Sequence, residues 1–134
     1  MPVSVESRIH RTLRKLDRFK ECDHWAQLPQ LEGIPSPLTS GEKLIGAYEN
    51  IPMRVDQILL FTNLGLHLWN GVSWQTLNYA DIVGTDWPKE SKNKATTLVI
   101  RMKNGRHETI PVAGALFEVM RFIDRVIEDI KLKA

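Results

Sequence analysis

The residues of this chain whose types best suit chemistry are Cys22, Asp23 and His24, a thiol, a carboxylate and an imidazole in consecutive positions, joined by His10, His67 and His107 elsewhere. A nucleophilic cysteine needs a base held within hydrogen-bond reach and donors aimed at a developing oxyanion, and three adjacent residues supply neither. One cysteine with one nearby histidine makes only part of a closed zinc site, and the four histidines show no metal-type spacing. No Gly-rich phosphate loop and no Gly-x-Ser-x-Gly elbow occurs in the sequence. The expectation is a non-catalytic protein, without cofactor or metal, that acts by binding.

Binding chemistry is better represented. Arg8, Arg11, Lys15 and Arg18 recur at spacings of three, four and three, so a helix would carry them as one basic stripe beside an apolar face of Val5, Ile9, Leu13 and Leu16. Such a helix suits an anionic membrane or an acidic partner, and equally suits packing on its own domain or self-association. Lys89, Lys92 and Lys94, in "KESKNK", form a second basic cluster that an anionic surface would attract. No aromatic residue interleaves it, and the net charge is only +2, so nucleic acid is not expected as a partner. The third candidate lies in "GLHLWNGVSW", where His67, Trp69 and Trp74 fall on one face of a hairpin and Leu66 and Leu68 on the other. With the leucines in the core, the three rings become an outward patch for a protein partner unless the N-terminal helix or the connector covers them.

The elements that must position these side chains follow from periodicity. The apolar spacing from Val5, with Ser4 as N-cap, predicts a helix over 5–20. The Pro- and Gly-containing "QLPQLEGIPSPLTSGE" reads as a connector over the surface, dividing an N-terminal region, 1–38, from a domain at 39–134. Strands are expected at 43–50, 56–63, 65–70, 73–80, 82–87, 96–103 and 106–112. Asn70-Gly71 and Asn104-Gly105 mark hairpins, because those residue pairs tolerate positive φ, and a two-residue loop in the first sets Trp69 opposite Val72 and His67 opposite Trp74. A two-residue loop in the second hairpin would set Arg101 opposite Glu108, whereas a three-residue loop with Gly105 as the bulge would set Leu98 opposite Ile110, and both registers are open. Leu116, Met120, Ile123, Ile127 and Ile130, widened by Val119 and Val126, form the apolar stripe of a helix over 115–131, with Arg121, Arg125, Glu128 and Asp129 on its solvated side.

Seven short antiparallel strands and one amphipathic C-terminal helix, carried by "GEKLIGAYENI", "ILLFTNLGLHLW", "TLNYADIVG" and "TLVIRMKNGRHETIPV", resemble the bacterial pleckstrin-homology-like and GRAM-like domains. The resemblance covers about residues 39–132 and implies an α+β fold: a strongly bent seven-stranded antiparallel sheet, a partly open barrel, capped by the final helix and preceded by the N-terminal one. Where these families often place Arg or Lys soon after Thr-Asn, this chain has Leu64-Gly65-Leu66. The loop "ENIPMRVD" offers Arg54 alone against Glu49 and Asp56, so phosphoinositide binding at the families' usual place is not expected. The working function is a protein-interaction or self-association module, with attachment to anionic lipid through the basic helix and Lys89–Lys94 as the rival. A lone cysteine and the lack of any apolar run of membrane-spanning length give the expectation of a cytoplasmic protein with no transmembrane segment.

Overall fold

A computed structural model of the chain describes residues 4–14, 16, 19–28, 31–49, 58–86, 97–112 and 116–133. Ser4 begins the first helix as expected, its hydroxyl oxygen accepting the Ser7 amide at 3.2 Å, and α1 spans Val5–Thr12. The helix is shorter than the expected 5–20. The chain leaves it at Leu13, turns through hydrogen bonds from Leu16 to Leu13 and from Phe19 to Leu16, and becomes strand β1, Phe19–Glu21. That extended backbone sets the Phe19 ring edge-on to Phe61 at 5.8 Å, and this tertiary contact overrides the helical periodicity.

The remaining strands are β2 Leu44–Glu49, β3 Ile58–Thr62, β4 Gly65–Trp69, β5 Trp74–Asn78, β6 Ile82–Asp86, β7 Thr97–Met102 and β8 His107–Pro111, each within one of the expected stretches. They do not form one bent sheet of seven strands. β1 to β5 pair in sequence order as a five-stranded antiparallel sheet, and β6 to β8 form a separate three-stranded one. The break falls at the 3-10 turn Tyr79–Asp81, where Tyr79 buries its ring and donates its hydroxyl to the Thr62 carbonyl at 2.8 Å. The turn redirects the chain before β6 can pair with β5. A side-chain hydrogen bond from Gln75 to Glu108, at 3.0 Å, links the sheets instead.

Both hairpins use glycine with positive φ, +96° at Gly71 and +86° at Gly105. In the second, Leu98 faces Ile110 and Arg101 faces His107, so the three-residue loop is the one adopted and Gly105 occupies a conformation that a Cβ would strain. In the first, Trp69 pairs with Trp74 and His67 with Thr76, a register two residues away from the expected Trp69–Val72 pairing. Because the slip is even, each side chain keeps its face. Asn70 stabilises this turn by accepting the Val72 and Ser73 amides, both at 2.8 Å.

The final helix, α2, spans Leu116–Lys133. Its buried stripe is Val119, Phe122, Ile123, Val126 and Ile127, while Met120 and Ile130 pack only in part. The stripe is thus rotated from the expected one toward Phe122, whose ring meets Phe61 at 5.6 Å and Tyr79 at 5.8 Å, both edge-on. With Ile9 and Leu13 of the N-terminal region, the inner faces of both sheets and α2 enclose the main core. A second core lies on the other face of the five-stranded sheet, where Cys22, Leu28 and Leu31 cover Ala47, Ile58 and Leu60. The Pro-rich connector is therefore a packed layer rather than a surface strap. Every residue of β3 is buried, as a strand covered on both faces must be. Among the described residues, no helix is long and apolar enough to cross a membrane.

Candidate functional site

The hairpin face expected to be an outward aromatic patch is a covered one. His67 is fully buried, and Trp69 and Trp74 are half-buried, packed on the second core together with Trp25 and with Ile34 and Leu38 of the connector. The Trp74 indole donates to the Pro35 carbonyl at 2.8 Å and stacks at a tilt on Trp69, 5.2 Å away, with Trp25 at 6.0 Å. The covering segment supplies hydrophobic closure at Leu28, Leu31, Ile34 and Leu38, and its prolines suit an extended path.

Beneath this layer sits an ionisable pair. The turn Thr39–Glu42, with Gly41 at φ +84° in the position that requires it, swings the Glu42 carboxylate back over the sheet. There it lies 2.6 Å from His67 Nε2, accepts the Thr62 hydroxyl through the same oxygen, and takes the Thr39 amide and hydroxyl on the other at 3.0 and 3.2 Å. His67 Nδ1 is 2.9 Å from the Thr76 hydroxyl, so both ring nitrogens are used inside the protein. The two side chains are 2% and 3% exposed. Burial pushes the Glu42 carboxyl upward, but the hydrogen bonds from Thr62, His67 and the Thr39 backbone, with the attraction of His67, outweigh it and hold the group below its ordinary value. This network has the satisfied geometry of a structural pair.

Cys22, Asp23 and His24 diverge. Cys22 is buried, and desolvation pushes its thiol up to about 11, whereas His24 is exposed with its Nδ1 3.0 Å from the Asp23 carbonyl. A rise from 9.0 to about 11 cuts the thiolate fraction, so alkylation of the native protein at neutral pH should run about a hundredfold slower than in denaturant. Equal rates in the two conditions would refute the buried placement. Among the described residues, no group of His, Cys, Asp and Glu could hold a metal ion.

A more open surface lies where α1 crosses α2. Arg8 reaches Asp129 with two hydrogen bonds, Nε to one carboxylate oxygen at 2.8 Å and a terminal nitrogen to the other at 3.0 Å. Asp129, expected on the solvated side of its helix, is buried beneath α1 by this fork. The hydrogen bond to Asp129 raises the Arg8 guanidinium against the opposing effect of burial. Beside the fork runs a groove of about 510 Å³ lined by Arg8, Arg11, Phe117, Glu118, Arg121 and Arg125. A double-mutant cycle of Arg8→Met and Asp129→Asn should give a coupling of about 1 to 3 kcal/mol by urea unfolding. Additive effects would mean that the fork does not hold the helices together.

Of the basic residues singled out in the sequence, Arg8 is thus turned inward and Arg11 stays exposed. Lys15, Arg18, Lys89, Lys92 and Lys94 lie outside the described residues. Arg121 and Arg125 read from sequence as ordinary solvated charges, since nothing local says that α1 lies across them. Their spacing of four, which like the three of Arg8 and Arg11 puts two arginines on one helix face, was the available signal. No family model matches the chain, and comparison with curated proteins and with solved structures gives no match.

Proposed function

We propose that this chain is a non-catalytic binding module of pleckstrin-homology-like architecture that engages a protein partner. The observation that carries this reading is the arginine-lined groove between α1 and α2, a concave charged surface at the meeting of the N- and C-terminal helices. The order of seven strands followed by a helix packed on the core supports the pleckstrin-homology-like likeness, with β1 as an addition at the front.

The rival, attachment to anionic lipid through the basic helix and the lysine loop, needs an apolar helix face free to enter the interface. Ile9 and Leu13 are fully buried in the protein core, and Arg8 is spent on Asp129, which favours the protein partner. A photo-crosslinking residue at position 121 of the intact chain, in extract of the native cell, should give discrete adducts that the same residue at position 106 does not. Loss of that difference, together with salt-sensitive sedimentation on anionic but not neutral vesicles, would transfer the function to the membrane.

A further inference from the structure

On the other side of the Phe117, Arg121 and Arg125 row lies a second hollow of about 320 Å³, which shares those three residues with the arginine groove and adds Met120, Asp124 and Glu128. From Phe117 to Glu128 the helix advances roughly 16 Å, the length of about five extended residues. The charge along this path is not uniform. On the α1 side four arginines meet one glutamate, while on the far side Arg121 and Arg125 are matched by Asp124 and Glu128, which follow the apolar Met120 one and two helical turns on.

Resting on the binding-module reading above, we infer that this groove receives a short acidic segment of a partner protein. Arg11 and Arg121 take its carboxylates, with Arg125, whose guanidinium lies 3.8 Å from Glu128, beside them, and an apolar side chain reaches toward Phe117 and Met120. Arginine forks match carboxylates in two-point geometry, and acidic motifs are commonly read by arginine clusters. Arg8 frames the groove rather than docking the segment, because both arms of its fork are on Asp129.

The uneven charge selects among anions. A nucleic-acid backbone or a lipid surface carries negative charge along its whole extent and would bring some of it against Asp124 and Glu128. A segment that is acidic at one end and apolar at the other avoids that repulsion.

The test uses the full chain and labelled hexapeptides read by fluorescence anisotropy. One peptide carries three glutamates beside a phenylalanine, a second has lysines in place of the glutamates, and a third has phosphoserines. The acidic peptide should bind, weaken at higher salt, and lose tenfold or more in affinity on Arg121→Glu or Arg11→Glu. Arg106→Glu, at a side chain 75% exposed on the second hairpin, should leave it unchanged, and thermal melts should show all three variants folded. Failure of the acidic peptide to bind would overturn the inference. So would equal binding of the lysine peptide, tenfold tighter binding of the phosphoserine peptide, or capture by anionic vesicles that needs the same arginines. If the acidic peptide fails while position 121 still crosslinks a partner, only the ligand chemistry is wrong; if both fail, the binding-module reading goes with it.

Discussion

Truncating Phe122 to alanine should lower the unfolding free energy by about 3 to 5 kcal/mol, the largest single-residue loss expected from the core. Phe122 is fully buried where three units meet: its ring touches Phe61 from the five-stranded sheet and Tyr79 from the turn that separates the two sheets. Neither neighbour is free to collapse into the space. Tyr79 is held by its hydroxyl on the Thr62 carbonyl, and Phe61 is held on its other side by Phe19. The cavity therefore persists, and the loss of two edge-on aromatic contacts adds to the lost transfer energy. Leu132→Ala, on the same helix but 74% exposed, should change stability by less than about 0.5 kcal/mol. Urea midpoints for the two variants measure the contrast. Similar shifts would mean that α2 does not dock through the Phe122 face.

The same residue shows where sequence reading reaches its limit. Helical spacing correctly places an amphipathic helix here, but the apolar residues from Leu116 to Ile130, with Phe122 among them, spread over more than the core face, so the pattern alone does not fix which edge of the stripe is buried. The sheets decide it, because the gap between Phe61 and Tyr79 admits a large ring and sits under position 122. Strand positions were legible because turn chemistry is local: Asn70-Gly71 and Asn104-Gly105 announce themselves, and an even slip in register leaves every face unchanged.

What was illegible is non-local. Leu28, Leu31, Ile34 and Leu38 recur at short intervals within a Pro-rich stretch, and only the presence of an uncovered sheet face turns that recurrence into a packed layer. That layer buries His67 and half-covers Trp69 and Trp74. Asp129 reads as a solvated charge until Arg8, 121 residues away, is brought over it, and the groove exists only because of that crossing. Residues that bind are in this sense less readable than residues that fold, since a binding surface is defined by elements that never meet in sequence.

Deleting the Glu42 side chain should cost about 3 to 5 kcal/mol, because Glu42→Ala would strand the buried His67 Nε2, whereas the Thr62 hydroxyl keeps the Gly65 carbonyl as acceptor at 3.2 Å. The penalty measures what is orphaned, not the worth of the pair, since apolar replacement of a whole buried network is often tolerated. The charge is read separately by Glu42→Gln as a function of pH. Glu42 has its folded carboxyl held below its ordinary value of 4.5, so near and below that pH the unfolded chain binds the proton more readily than the folded one. Its contribution is therefore fully present above about pH 4.5 and is lost as pH falls through the lower folded value. The parent and Glu42→Gln should differ at neutral pH by about 1.5 to 3 kcal/mol, the range for hydrogen bonds to a charged group, and converge in acid. A gap that stays constant from neutral pH down to about pH 3 would show that the carboxylate's charge contributes nothing, leaving only the shape of the side chain to explain why the connector closes over His67.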